Sequence, residues 1–128
     1  MEIEVDSAGT SNYHPNTPPD HRSQQHAEAH GYDLSALRAR QVRDEDFSQF
    51  DLILAMDHAN LADLLAWARR IPARSDVPMA QLALMSEYDP VYPAQAVPDP
   101  YYGDADDFER VIHQLESSAV SWIRRWSA

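Results

Sequence analysis

The spacing of apolar positions changes along this chain, and the changes mark its elements. Leu52-Ile53-Leu54-Ala55-Met56 is continuous and free of Pro and Gly, which predicts a strand buried on both faces. Behind it Leu61, Leu64, Leu65 and Ala68 fall on one stripe, so a helix follows, with Asp57 as its N-cap. Arg69-Arg70 suit its negative end and Pro72 enforces the stop. A buried strand feeding a helix is half of a βαβ unit, and the fold class read from it is α/β. In parallel sheets, sites are built just beyond the carboxyl ends of strands, and Asp57 stands at such a place.

Other periods surround this centre. Glu2 to Asp6 alternates, with Ile3 and Val5 inward, predicting a short strand that gives way to a loop over Ser7 to Asn12. Thr17 reads as a cap with Pro18 in the first turn, opening a helix to His30 that Gly31 closes and that has little beyond Ala27 and Ala29 to bury. A short turn or helix capped by Ser35 begins at Leu34 to Leu37, and another helix opens at Asp44 to Phe47. Leu82 to Met85 is a further strand. From Glu87 to Gly103 the prolines exclude anything long and regular, and a loop of that length points to function. The last helix is the clearest: Phe108, Val111, Ile112, Leu115, Ala119, Trp122, Ile123 and Trp126 keep the 3.6 period, with acids in its first turn and Arg124-Arg125 in its last.

Composition narrows the chemistry. The 128 residues read as one domain, 1–128. With no cysteine the chain has no disulfide, thiolate metal site or cysteine nucleophile. No apolar run reaches the ~20 residues of a membrane span, and Met1-Glu2-Ile3-Glu4 is not a signal peptide, so a soluble, cytoplasmic protein without membrane insertion is expected. A formal charge of −11, from 21 acids against 10 arginines and no lysine, repels nucleic acid and anionic lipid. Phosphate binding then needs a local exception of backbone N–H groups and an arginine.

Asp99-Pro100-Tyr101-Tyr102-Gly103 is the best local signal. Two aromatics in a proline-restrained loop can stack on a ring-bearing substrate while Asp99, kept protonated, serves as general acid. The alternative is a loop whose tyrosines pack on the core while the aspartate caps a turn. His26 and His30 have a spacing that can hold a metal, with His14 and His21 as further ligands, but Glu28 is misplaced for the zinc-protease pattern, and a solvated helix face explains the pair better. Ser7 and Ser11 lack a glycine-flanked elbow or a positioned base and read as loop hydroxyls. Arg38, Arg40 and Arg43 are explained by ion pairs with Asp44, Glu45 or Asp46, or else contact an anion. Trp122 and Trp126 read as core or its rim.

Taken in order, Asp6-Ser7-Ala8-Gly9-Thr10, Pro18-Pro19-Asp20-His21-Arg22-Ser23, Gly31-Tyr32-Asp33-Leu34-Ser35, Arg38-Ala39-Arg40-Gln41, Asp51 to Asp57 with Asn60-Leu61, and Val97 to Gly103 with Phe108-Glu109 form a specific series. It resembles the low-molecular-weight protein-tyrosine-phosphatase family from about Glu4 to the final helix. The resemblance implies a doubly wound parallel sheet flanked by helices and hydrolysis of phosphomonoesters, without a cofactor, through a cysteine thiolate in a Cys-x5-Arg phosphate loop. It implies that Asp99 protonates the leaving phenolate and then activates water, that Tyr101 and Tyr102 flank the substrate ring with Tyr13 on the opposite wall, and that Ser7 supports the phosphate loop.

The chain departs from the family where the nucleophile belongs. The family's first strand, phosphate loop and first helix precede the segment matching Glu2 to Asp6, and here Met1 stands directly before it. The missing strand would lie between the segment of Ile3–Val5 and that of Leu52–Met56, leaving two unpaired edges and an apolar face open to self-association. The expected chain is therefore inactive by the family mechanism and, if completed, takes a phosphotyrosine protein or a small phosphomonoester. Two alternatives stand beside it: a pseudophosphatase serving as a binding or regulatory module, and a metal-dependent enzyme using the histidines.

Overall fold

A computed structural model describes residues 3–11, 16–72, 77–100 and 103–127. Its elements in order are α1 (His21–Ala29), α2 (Asp46–Gln49), β1 (Leu52–Ala55), α3 (His58–Arg70), β2 (Gln81–Leu84) and α4 (Ala105–Ser127). β1 and β2 pair in parallel, Leu52 opposite Gln81 through Ala55 opposite Leu84, and α3 is the crossover between them. The parallel α/β sheet flanked by helices is thus present, in two strands among the described residues.

The crossover forms as its pattern requires. The Asp57 carboxylate accepts from the Asn60 N–H at 2.7 Å, capping α3. Leu64 is buried and Leu61, Trp67 and Ala68 lie partly buried against Val42, Phe47, Ala55 and Leu84. Phe47 is 1% exposed and meets Trp67 at 6.4 Å between ring centroids. The Trp67 indole N–H donates to Asp44 at 2.7 Å, so its polar edge is satisfied at the rim of that core.

Several expectations are corrected. The segment from Ile3 to Asp6 forms no strand, and Ile3 and Val5 are exposed, Val5 by 82%. Sheet-like contact begins only beyond it, with a parallel bridge from Gly9 to Gln41. Alternation alone does not make a strand: a ladder needs a hydrogen-bonding neighbour and an apolar surface to cover. For the same reason β1 is not buried on both faces, and Leu52, Ile53 and Leu54 are half-buried. β2 begins and ends one residue earlier than its apolar run. Asp20 rather than Thr17 caps α1, its carboxylate accepting from the N–H groups of Arg22 and Ser23. At the other end Gly31 takes a positive φ of 86°, and the Tyr32 and Gly31 N–H groups return to Ala27 and Glu28. Ser35 starts a turn, with no helix, and its own N–H is held by Asp33 at 2.9 Å.

α4 keeps its register but not full burial. Phe108 and Trp122 are buried, while Ile123 and Trp126 are exposed. Asp104 and Asp107 exchange side-chain to N–H bonds at 3.1 and 3.2 Å, a reciprocal cap at its start. No helix among the described residues is long and apolar enough to cross a membrane.

Candidate functional site

The carboxyl end of β1 is where the predicted loop arrives. Val97 donates its N–H to the Met56 carbonyl at 2.7 Å, one residue past β1. This places exposed Asp99 two residues beyond a fixed point at the end of the sheet. The approach is clamped through backbone carbonyls: buried Gln114 of α4 donates to Ala96 at 3.1 Å, His58 lies 3.2 Å from the Ala94 carbonyl, and the Ser86 hydroxyl bonds that of Gln95. At the far side the Gly103 N–H returns to Pro100 at 2.8 Å. Gly103 is there for space, because a Cβ would stand 2.7 Å from that of Asp107.

The centre of this arrangement is Asp89, 1% exposed. Its carboxylate accepts from the hydroxyls of Ser117 and Ser118 at 2.8 and 2.6 Å and from the N–H groups of Val91 and Tyr92 at 2.8 and 3.1 Å. Burial pushes its carboxyl up, but those four donors outweigh burial and leave it below the ordinary aspartate value. The loop is thereby joined to α4 through one buried charge. Trp122 adds a second join, its indole N–H donating to Met85 at 2.7 Å.

The predicted site residues fare differently. Asp99 lies at the sheet's carboxyl end as described. Tyr13, Tyr101 and Tyr102 lie outside the described residues. Ser7 is exposed on the segment hooked by Gly9 to Gln41, and its N–H donates to Asp6 at 2.8 Å. That N–H and then Arg40 lower the Asp6 carboxyl. Arg40 also forks onto Asp46 at 2.8 and 3.1 Å, so the arginine cluster supplies an internal ion pair. Burial pushes Asp46 up, and Arg40 with the Arg43 N–H brings it below its ordinary value. Asp57 is occupied by its cap.

The described residues argue against the metal reading, and His14, one of its candidate ligands, lies outside them. Among the described residues no group of three or more His, Cys, Asp or Glu side chains can hold a metal ion. His26 and His30 face the two oxygens of Glu109 on α4, so the pair is not simply a solvated face. A cavity of about 590 Å³ opens between Tyr88, Pro90, Val91 and the α4 residues His113, Val120 and Arg124, and neither Asp99 nor Ser7, the predicted site residues that are described, lines it. Asp89, Gln114 and Arg22, which donates to Gly103 at 3.1 Å, escaped the sequence reading. The sequence offered one partial signal for Asp89, the polar pair Ser117-Ser118 within an amphipathic helix.

A family model for low molecular weight phosphotyrosine protein phosphatase matches residues 1–127. The chain belongs to that family. A human low molecular weight phosphotyrosine protein phosphatase is 42% identical over 121 residues, covering 94% of this chain and 73% of the human protein. A putative low molecular weight protein-tyrosine-phosphatase from Synechocystis is 41% identical over 117 residues, covering 91% and 71%. Among solved structures, a protein tyrosine phosphatase from Entamoeba histolytica aligns with a TM-score of 0.81 at 33% identity, covering 95% of this chain and 74% of that one. A drosophila arginine phosphatase aligns with a TM-score of 0.89 at 26% identity, covering 100% and 80%. The chain thus spans about three quarters of the human phosphatase. It holds no cysteine, and the thiolate on which the family's hydrolysis depends is absent from it.

Proposed function

We propose that this chain carries the proton-transfer side of a phosphotyrosine phosphatase site. Asp99 is the general acid and base, Tyr101, Tyr102 and Tyr13 are the walls beside the substrate ring, and Ser7 supports the phosphate loop. The observation that carries this reading is the anchoring of the Asp99 segment at the carboxyl end of β1 by the bond from Val97 to Met56. The chain as it stands turns over no aryl phosphate, because no thiolate attacks phosphorus. Joined in frame to a strand–loop–helix segment bearing Cys-x5-Arg, it hydrolyses phosphotyrosine peptides and small aryl phosphates.

The test is an assay of both polypeptides on an aryl phosphate. The chain alone should match buffer, and in the joined protein Asp99→Asn should lower kcat by about 10²- to 10⁴-fold. A joined protein indifferent to Asp99→Asn would overturn the assignment.

Self-association is the second reading. Among the described residues β1 pairs on one side only, and Ile3 and Val5 are exposed. Sedimentation should show a concentration-dependent dimer that Ile53→Lys disfavours; a monomer at all concentrations rules it out.

A further inference from the structure

α1 has almost no apolar attachment, Ala27 being its one buried residue. Polar contacts to α4 take the place of a core. His26 Nδ1 stands 3.1 Å from Glu109 Oε1, and His30 Nε2 bonds Oε2 of the same carboxylate. The His26 ring lies parallel to Phe108 at 5.1 Å, and the Arg22 guanidinium sits 4.8 Å from the centre of that ring. The second nitrogen of His30 is 3.9 Å from Glu116, which also accepts from the Tyr32 hydroxyl at 3.1 Å. Arg22, one turn before His26, donates to the carbonyl of Gly103, the residue that closes the Asp99 segment.

We propose that His26 and His30 form a proton-operated clasp on Glu109 that docks α1 on α4 and, through Arg22 and Gly103, tethers the far end of the Asp99 segment. The inference concerns how that segment is held and is independent of the role assigned to Asp99.

The charged and titratable groups facing the pair are Glu109 and Glu116 on α4, with Arg22 and Tyr32 from α1 and its exit. With both imidazoles charged, two positive rings meet two carboxylates. Deprotonation removes that attraction. It also leaves each ring with one N–H, which reaches Glu109 only if His26 carries it on Nδ1 and His30 on Nε2, opposite tautomers. On the acid side, the hydrogen bonds from His26 and His30 hold the Glu109 carboxyl below its ordinary value, so it stays ionised in mild acid. The clasp is therefore tighter while the imidazoles are charged and looser once they are neutral. Because the pairs are partly exposed, salt weakens them as well.

Amide hydrogen exchange of the intact chain tests this, with α1 read against α3 in the same sample. From about pH 6 to about pH 8, corrected for intrinsic rates, α1 should exchange roughly threefold faster relative to α3, with the Gly103 amide following. About 1 M NaCl at the lower pH should reproduce the loosening in the unmodified chain. Glu109→Gln should abolish the pH response. A pH-independent or salt-independent ratio in the unmodified chain, or an unchanged response in Glu109→Gln, overturns the clasp. A Gly103 amide that does not follow α1 overturns the tether.

Discussion

The layer of β1, β2, α2 and α3 closes on Phe47, Ala55, Leu64 and Leu84, whereas the loop leading to Asp99 closes on carbonyl oxygens and the buried carboxylate of Asp89. Apolar contact is non-directional, so the first region tolerates shifts of side chains that preserve volume. Hydrogen bonds at 2.6 to 3.1 Å to one carboxylate are directional, so the second region has one geometry or none. The dry layer supplies stability, and the polar one supplies placement.

Substitutions can separate the two. The largest effect belongs to the dry layer: Phe47→Ala should cost about 3 to 5 kcal/mol, read as a lower urea midpoint. Asp89→Ala should cost about 3 kcal/mol and release the loop, so exchange should rise over 90–98 more than in β1 or β2. A uniform rise would show that the two regions unfold as one.

Acid probes the same carboxylate without mutation. Asp89 and Asp46 have folded values below their unfolded ones. Their contribution is present above the unfolded value of about 3.9 and is lost as pH falls through the folded one. Acid unfolding monitored by circular dichroism should therefore steepen below about pH 4, and Asp89→Asn should flatten that limb.

A smaller effect sharpens the contrast from the other side. Ala94 holds a φ of 52°, so Ala94→Gly should raise stability by up to about 1 kcal/mol without loosening the loop. Smallest of all, Ile3→Ser and Val5→Ser should each stay within about 0.5 kcal/mol, because both side chains already face water.

What the sequence made legible follows the same division. The Leu52–Met56 run, the Asp57 cap and the α4 stripe were readable because periodicity and capping are local. Asp99 lies two residues past Val97, which bonds the residue after β1. Ile3 and Val5 misled, since alternation records what a strand could bury and not whether a neighbour is present to pair with it. His26 and His30 were readable as a pair, but Glu109, the group they face, lies on another helix. Asp89 was passed over because its side-chain donors arrive from Ser117 and Ser118, more than a helix length along the chain.

The clamps on the loop grip main-chain oxygens. Ser86, Gln114 and His58 reach the carbonyls of Gln95, Ala96 and Ala94, while the three side chains on that stretch face solvent. A carbonyl is the same whatever residue bears it. The rim at 95 and 96 can therefore be rewritten, with larger, charged or aromatic residues, and Val97 still meets Met56, whereas the positive φ at Ala94 favours glycine there. Divergence in what approaches the rim is thereby uncoupled from the position of the acid.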